Sequence, residues 1–191
     1  MLLFGHIGLT LGATWGLNHV LETKERNLRT SFARGVFLYL QKLDYRILLV
    51  GSMLPDIIDK PIGIYFLQDT ISNGRIIGHT LLFFAALAFA GVYLSRRKIA
   101  TWPLALAFGT FTHLVFDQMW RLPHTLFWPL YGFAFEKKDL SDWLNETVQS
   151  LFTNPVDYIT ELVGAAIIAY FIITLIRTRN LGCFLKTGEL L

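Results

Sequence analysis

The sequence predicts an all-α, polytopic membrane protein built as one integral membrane domain over residues 1–191. Three observations predict it. Hydrophobic residues make up 53% of the chain and charged residues only 16%, against the about 25% charged residues of an ordinary soluble domain, and mean hydropathy is +0.47. Apolar runs recur at close to the roughly 20 residues that a helix needs to cross the hydrocarbon core. Basic residues gather at alternate ends of those runs, as cytoplasmic loops require.

The elements follow in chain order. Leu2 to Leu21 stands where a signal peptide would, but it lacks a basic start and carries His6 and His19, so a retained helix is expected. Gly35 to Ile58 is interrupted by Gln41, Lys42, Asp44 and Arg46. An interfacial helix near residues 32–42 leading into a short span from about Tyr45 to Leu54 fits that pattern. His79 to Ser95 is apolar throughout and stops at Arg96-Arg97-Lys98, Trp102 to Trp120 has a tryptophan at each end, and Val156 to Ile176 stops at Arg177. Interfacial aromatics and basic stops mark these as spans, which makes five crossings.

Of the 17 Lys and Arg, those in residues 22–46, 96–100 and 177–191 form the majority. Placing these segments inside puts the N-terminus outside and the C-terminus inside. On that map His6, Asp56 and Asp59 of Leu54-Pro55-Asp56-Ile57-Ile58-Asp59, His79, His113 with Asp117, His124, and Asp157 with Glu161 all fall toward the outer face. An ionisable side chain near the bilayer centre costs on the order of 2.5–3.5 kcal/mol even on mild insertion scales. Something has to offset that cost.

Divalent metal binding does so. His and carboxylates are ordinary ligands of zinc, and a pair at i and i+4, as in His113/Asp117 and Asp157/Glu161, projects from one helix face. Such an ion lowers the pKa of a water ligand to about 7, so the natural reaction is hydrolysis. Other readings of the same residues stay open. The His113/Asp117 pair also suits an interhelical hydrogen bond or a proton relay, and Asp56 after Pro55 also suits a helix N-cap. His6 and His124 taken singly also suit interfacial positions, and His19 at the inner end has no assigned role. Asp69, Asp139 and Asp142 read as solvated loop charges. The single Cys183 excludes an internal disulfide and a cysteine-rich zinc site. Without a basic, aromatic surface run, no direct nucleic-acid partner is expected.

His6 near the N-terminus, L-P-D-x-x-D at Leu54–Asp59, His79 opening an apolar helix after Arg75, T-H-x-x-x-D at Thr112–Asp117, and Trp128-Pro129 come in an order that resembles the YdjM-like, LexA-regulated inner-membrane proteins. That resemblance runs from His6 to Glu161 and implies a metal-dependent hydrolase of the plasma (inner) membrane. The order is also similar to that of zinc-dependent phospholipase C and related single-strand nucleases. There the matching ligands would be His6, Asp56 or Asp59, His79, His113 with Asp117, His124 and Glu161. The chain departs from these patterns at Gly74, where the family commonly has histidine, and at Asp157, where the soluble enzymes have histidine. Fewer nitrogen ligands point to one or two ions rather than three.

The expected ligands are therefore His6, Asp56, His79, His113, Asp117 and Glu161, with zinc as the ion. Asp59 is expected to activate water or orient a ligand histidine, and Arg75 to hold a phosphate. His124 and Asp157 are further candidates. The expected substrate is a phosphoester on a small molecule, a lipid or a lipid-linked head group, with the bilayer as the other partner. A transporter or proton relay, or a noncatalytic metal-stabilised interaction protein, are the alternatives from other classes.

Overall fold

The computed structural model describes residues 2–23, 39, 43–67, 71–137 and 142–189, and eight α-helices lie among them with no strand. They are α1 (Leu3–Thr23), α2 (Tyr45–Lys60), α3 (Leu81–Arg96), α4 (Trp102–Phe116), α5 (Pro123–Leu126), α6 (Trp143–Thr153), α7 (Pro155–Arg177) and α8 (Leu181–Thr187). The expected interfacial helix at 32–42, apart from Tyr39, lies outside the described residues, as do Asp69 and Asp139. The spans expected from Leu2, Tyr45, His79, Trp102 and Val156 correspond to α1, α2, α3, α4 and α7. Helices α5, α6 and α8 have no counterpart in the sequence reading.

Local chemistry sets the boundaries. Asp44 caps α2 by accepting from the amides of Arg46 (3.0 Å) and Ile47 (3.5 Å). Arg46 reaches from there to the Leu185 carbonyl at 2.6 Å, which ties α8 to the start of α2. Its guanidinium also holds the Asp44 carboxyl below the usual carboxylate range. The Thr80 hydroxyl accepts from the Phe83 amide and starts α3 one residue after His79. Helix α4 ends at Phe116 because Gln118 takes a left-handed conformation with φ of 52°. Asp117 is therefore the C-cap residue, its amide still donating to the His113 carbonyl at 2.9 Å.

Helix α2 continues through Pro55 and passes into a wider π-helical turn, Pro61–Phe66. Proline has no N–H for the carbonyl four residues earlier. That carbonyl, on Gly51, receives the Thr110 hydroxyl of α4 at 3.4 Å instead. The N-cap reading of Asp56 gives way to a helical position, with its side chain turned inward.

The helices cross on small residues. A Cβ on Gly8 of α1 would overlap the backbone of Gly164 in α7, and one on Gly109 of α4 would overlap that of Leu48, Gly51 and Ser52 in α2. Close backbone approach of this kind is how helices associate where lipid removes the hydrophobic driving force. Between α1, α2 and α4 a buried apolar cluster that includes Leu11, Leu48 and Ala105 lies alongside buried hydroxyls. Thr10 and Thr112 share a hydrogen bond of 2.9 Å across α1 and α4, and Thr10, Thr14, Ser52 and Thr110 are fully buried. Large apolar side chains such as Phe89, Phe152 and Ile176 face outward.

Helix α7, 23 residues long, is the one described helix long and apolar enough to cross a membrane by itself. Helices α3 and α4 are apolar but shorter, at 16 and 15 residues. At 1.5 Å per residue each covers less than the roughly 30 Å of a hydrocarbon core.

The crossings give a direct expectation. Gly8→Ala or Gly109→Ala should each lower the thermal midpoint of the detergent-solubilised protein, by the equivalent of about 1–3 kcal/mol or more, since the obstructing atoms are backbone. Gly16→Ala, whose Cβ meets nothing within 4 Å, should be neutral or slightly stabilising. A melting series on the three variants checks the ordering.

Candidate metal centre

The fold brings the first turn of α1, the end of α2, the loop before α3 and the end of α4 to one place. Loop 71–80 is shaped by its own side chains and by Asp59. The Asn73 side chain accepts from the Arg75 amide (2.9 Å) and donates to the Glu136 carbonyl (2.7 Å), which anchors the loop to the segment after α5. Asp59, fully buried at the end of α2, then collects the amides of Ile76 (2.7 Å), Gly78 (2.8 Å) and His79 (3.1 Å). Gly78 permits this wrap, because a Cβ there would lie 2.9 Å from the Pro55 Cα.

Both oxygens of Asp59 are thus acceptors for backbone N–H groups, and Oδ2 also takes His79 Nδ1 at 2.7 Å. A carboxylate in this setting accepts, so the His79 proton sits on Nδ1 and Nε2 presents a lone pair. His113 is fixed in the same sense. Its Nδ1 donates to the Ser52 carbonyl at 2.6 Å, and a carbonyl has no other role. The two Nε2 atoms then face each other at 3.2 Å with no proton between them in the neutral tautomers. Two lone pairs at that distance repel, and either a shared proton or a metal ion between them removes the repulsion.

Around this pair stand three more side chains. Asp56 Oδ1 is 3.6 Å from His79 Nε2 and 3.9 Å from His113 Nε2. The His6 ring stacks on the His113 ring with centroids 4.0 Å apart, and His6 Nε2 lies 3.2 Å from Asp117 Oδ1. That contact lacks hydrogen-bond alignment, and neither ring nitrogen of the buried His6 has a hydrogen-bond partner. Asp117 Oδ2 is 3.8 Å from His79 Nε2.

Two groups able to hold an ion result, His6/His113/Asp117 and Asp56/His79/His113, each with its ligand atoms within 4.8 Å of one another. They share His113. A four-coordinate zinc with bonds of about 2.0–2.1 Å separates its ligands by roughly 3.3 Å. The donor separations of 3.2 to 3.9 Å fall near that value. The facing imidazole nitrogens and the orphaned nitrogens of His6 make the residues a fit for a divalent ion, and the one free nitrogen of His113 can serve only one of the two groups at a time.

Other expected residues are placed differently. Glu161, on α7, accepts from the amides of Leu2 (2.8 Å), Phe4 (2.8 Å) and Gly5 (3.0 Å), so both its oxygens serve the start of α1. This is the carboxylate that a helix N-terminus favours, supplied by a neighbouring helix. Asp157 accepts from the Asn154 side chain at 3.0 Å near the start of α7. His124 lies against Tyr131 with ring centroids 5.4 Å apart, after the 3₁₀ turn that follows α4. Arg75 binds Asp117 Oδ2 through Nε (2.8 Å) and Nη2 (2.7 Å). His19 stacks on Trp15.

Sequence reasoning missed two participants. The Ser52 carbonyl is a backbone group, which no residue type announces. Lys60 was readable as the i+4 partner of Asp56, whose Oδ2 it meets at 2.7 Å.

An all-helical bundle with a buried cluster of histidines and carboxylates at the converging ends of its helices defines a candidate metalloprotein of the membrane. The comparison with family models makes this specific: residues 1–181 match the model described as YdjM inner membrane protein, and the chain belongs to that family. No curated protein and no solved structure matches it.

The role of Glu161 can be checked on its own. Glu161→Ala leaves the three amides of Leu2, Phe4 and Gly5 without their acceptor, at a cost of about 1–3 kcal/mol or more. Hydrogen exchange at the start of α1 should accelerate markedly in Glu161→Ala and less in Glu161→Gln, which keeps one acceptor oxygen.

Proposed function

We propose that the protein is a multi-pass inner-membrane hydrolase that uses one or two divalent ions, zinc fitting best, to cleave a phosphoester at the extracytoplasmic face. The observation that carries the reading is the pair of Nε2 atoms held 3.2 Å apart by Asp59 on one side and the Ser52 carbonyl on the other. Zinc suits a buried set of imidazoles and carboxylates without thiolates.

When bound, such an ion would supply Lewis acidity and a water of lowered pKa, the chemistry that phosphoester hydrolysis needs. The chain's own residues do the rest. His6, His79, His113, Asp56 and Asp117 hold the charge. The four donors on Asp59 support an orienting role toward His79, as a carboxylate behind a ligand histidine provides. Glu161 belongs in this reading to the start of α1 and not to the ligand set. Arg75, about a third exposed beside Asp117, stands where a substrate phosphate would arrive. A site at the membrane surface favours a lipid or lipid-linked head group.

The buried hydroxyls, histidines and carboxylates and the many outward-facing large apolar side chains support a single bundle immersed in the bilayer, with five crossings, the N-terminus outside and the C-terminus inside. Helices α3 and α4 would cross with the help of their flanking turns and local thinning of the bilayer. A second reading, a noncatalytic metal-stabilised membrane protein, draws support from the full burial of His6, His79 and His113, since structural sites are closed whereas catalytic ones keep an open position.

Metal analysis of detergent-purified protein, paired with a screen against phosphodiester and lipid head-group substrates, separates these readings. His113→Ala should lose the most metal because its Nε2 is a candidate ligand in either group, whichever is occupied, His6→Ala less, and His19→Ala none. Asp59→Asn should weaken metal affinity by about 10–100-fold while leaving every ligand in place. Equal metal content in wild type and His113→Ala would sink the assignment, and metal without any hydrolysis would favour the noncatalytic reading. A reporter fused after Leu191 should be cytoplasmic and one inserted near Ser141 extracytoplasmic.

A further inference from the structure

The ligand side chains are buried, and among the described residues two cations, Lys60 and Arg75, reach from them toward solvent. His6, His79 and His113 have no exposed surface, and the side chains of Asp56 and Asp117 are 7% and 2% exposed. The side chains of Lys60 and Arg75 are 30% and 34% exposed. Each cation holds one oxygen of one of the two carboxylates. Asp56 turns Oδ1 to the histidines and gives Oδ2 to Lys60 at 2.7 Å. Asp117 turns Oδ1 to His6 and gives Oδ2 to Arg75 at 2.7 Å.

The Lys60 stem packs near the loop that carries Arg75. A Cβ on Gly74, the residue before Arg75, would touch the Lys60 Cγ at 3.8 Å, so the lysine stem runs along the loop that carries the arginine. On its other side the Lys60 ammonium lies 6.0 Å from the centre of the Trp143 ring, within the range of a cation–π contact.

From this arrangement we infer that Lys60 and Arg75 form an anion-binding pair at the mouth of the centre, which receives the phosphate of the substrate once metal is bound. The inference rests on the metal-centre reading and adds a residue, Lys60, and a condition. Without a divalent ion, Asp56 and Asp117 neutralise the two cations. With the ion in place, it takes up the carboxylates' charge and leaves the cations free to pair with an incoming anion. Phosphate and metal should then bind with positive coupling, each raising affinity for the other. Lys60 is a positioning residue here, a mobile point charge, while Arg75 supplies the planar fork suited to two phosphate oxygens.

Inorganic phosphate, titrated calorimetrically into the full-length protein in detergent, is the probe, with metal content measured on every sample first. The metal-loaded wild type should bind phosphate, and the metal-free protein should bind it at least about tenfold more weakly. Lys60→Gln should keep its metal and weaken phosphate binding by roughly 10–100-fold, the range of a hydrogen bond to a charged group. Lys60→Arg should restore most of the affinity, and Lys186→Gln, an exposed lysine on α8, should change nothing. Unchanged phosphate affinity in a fully loaded Lys60→Gln protein would overturn this inference alone. Loss of metal from Lys60→Gln would also overturn it, because Lys60 would then serve Asp56 and not an anion. A wild-type protein that takes up no metal would overturn the centre itself, and this inference with it.

Discussion

Two imidazoles, on His79 and His113, are each locked from behind by an acceptor that leaves the other ring nitrogen unprotonated. The locks differ in kind. One is the Asp59 carboxylate, itself held by three backbone amides; the other is the Ser52 carbonyl. Together they oppose two lone pairs at 3.2 Å in a buried place. A shared proton or a metal ion has to complete that arrangement, since unpaired polar atoms in the interior cost several kcal/mol.

Much of the fold follows from holding those rings. Pro55 removes one amide from α2 and lets α4 donate a hydroxyl to the Gly51 carbonyl, one residue before the carbonyl that locks His113. Gly109 brings the two helices close enough for both bonds. Gly78 lets loop 71–80 fold its amides over Asp59, and that fold aims His79. On the other side, Gly8 and Gly164 bring α1 against α7, where Glu161 accepts the first amides of α1 and fixes the turn that carries His6. Stability and site geometry therefore share the same residues, and a change at one of the close-packed glycines should be felt as a displaced ligand.

The parts of this that residue types announce were readable from the sequence. Apolar runs marked the main helices, and the positions of His6, Asp56, His79, His113 and Asp117 near run ends marked residues that the structure gathers. The rest depended on groups that carry no letter in the sequence. The Ser52 carbonyl and the amides on Asp59 are backbone atoms, and the end of α4 at Phe116 depends on a left-handed Gln118 that an apolar run does not reveal. Glu161 shows the opposite difficulty. Its spacing from Asp157 matches a ligand pair, but the unpaired amides of a neighbouring helix compete for the same oxygens. Length was the other hidden quantity: α3 and α4 look like full spans as runs and are shorter as helices.

X-ray absorption at the metal edge, on purified protein loaded with one equivalent of zinc, tests the central claim most directly. The account predicts a shell of nitrogen and oxygen ligands at about 2.0–2.1 Å with outer-shell scattering from at least two imidazoles, reduced in His113→Ala. A spectrum of solvent ligands only, or one unchanged in His113→Ala, would contradict it.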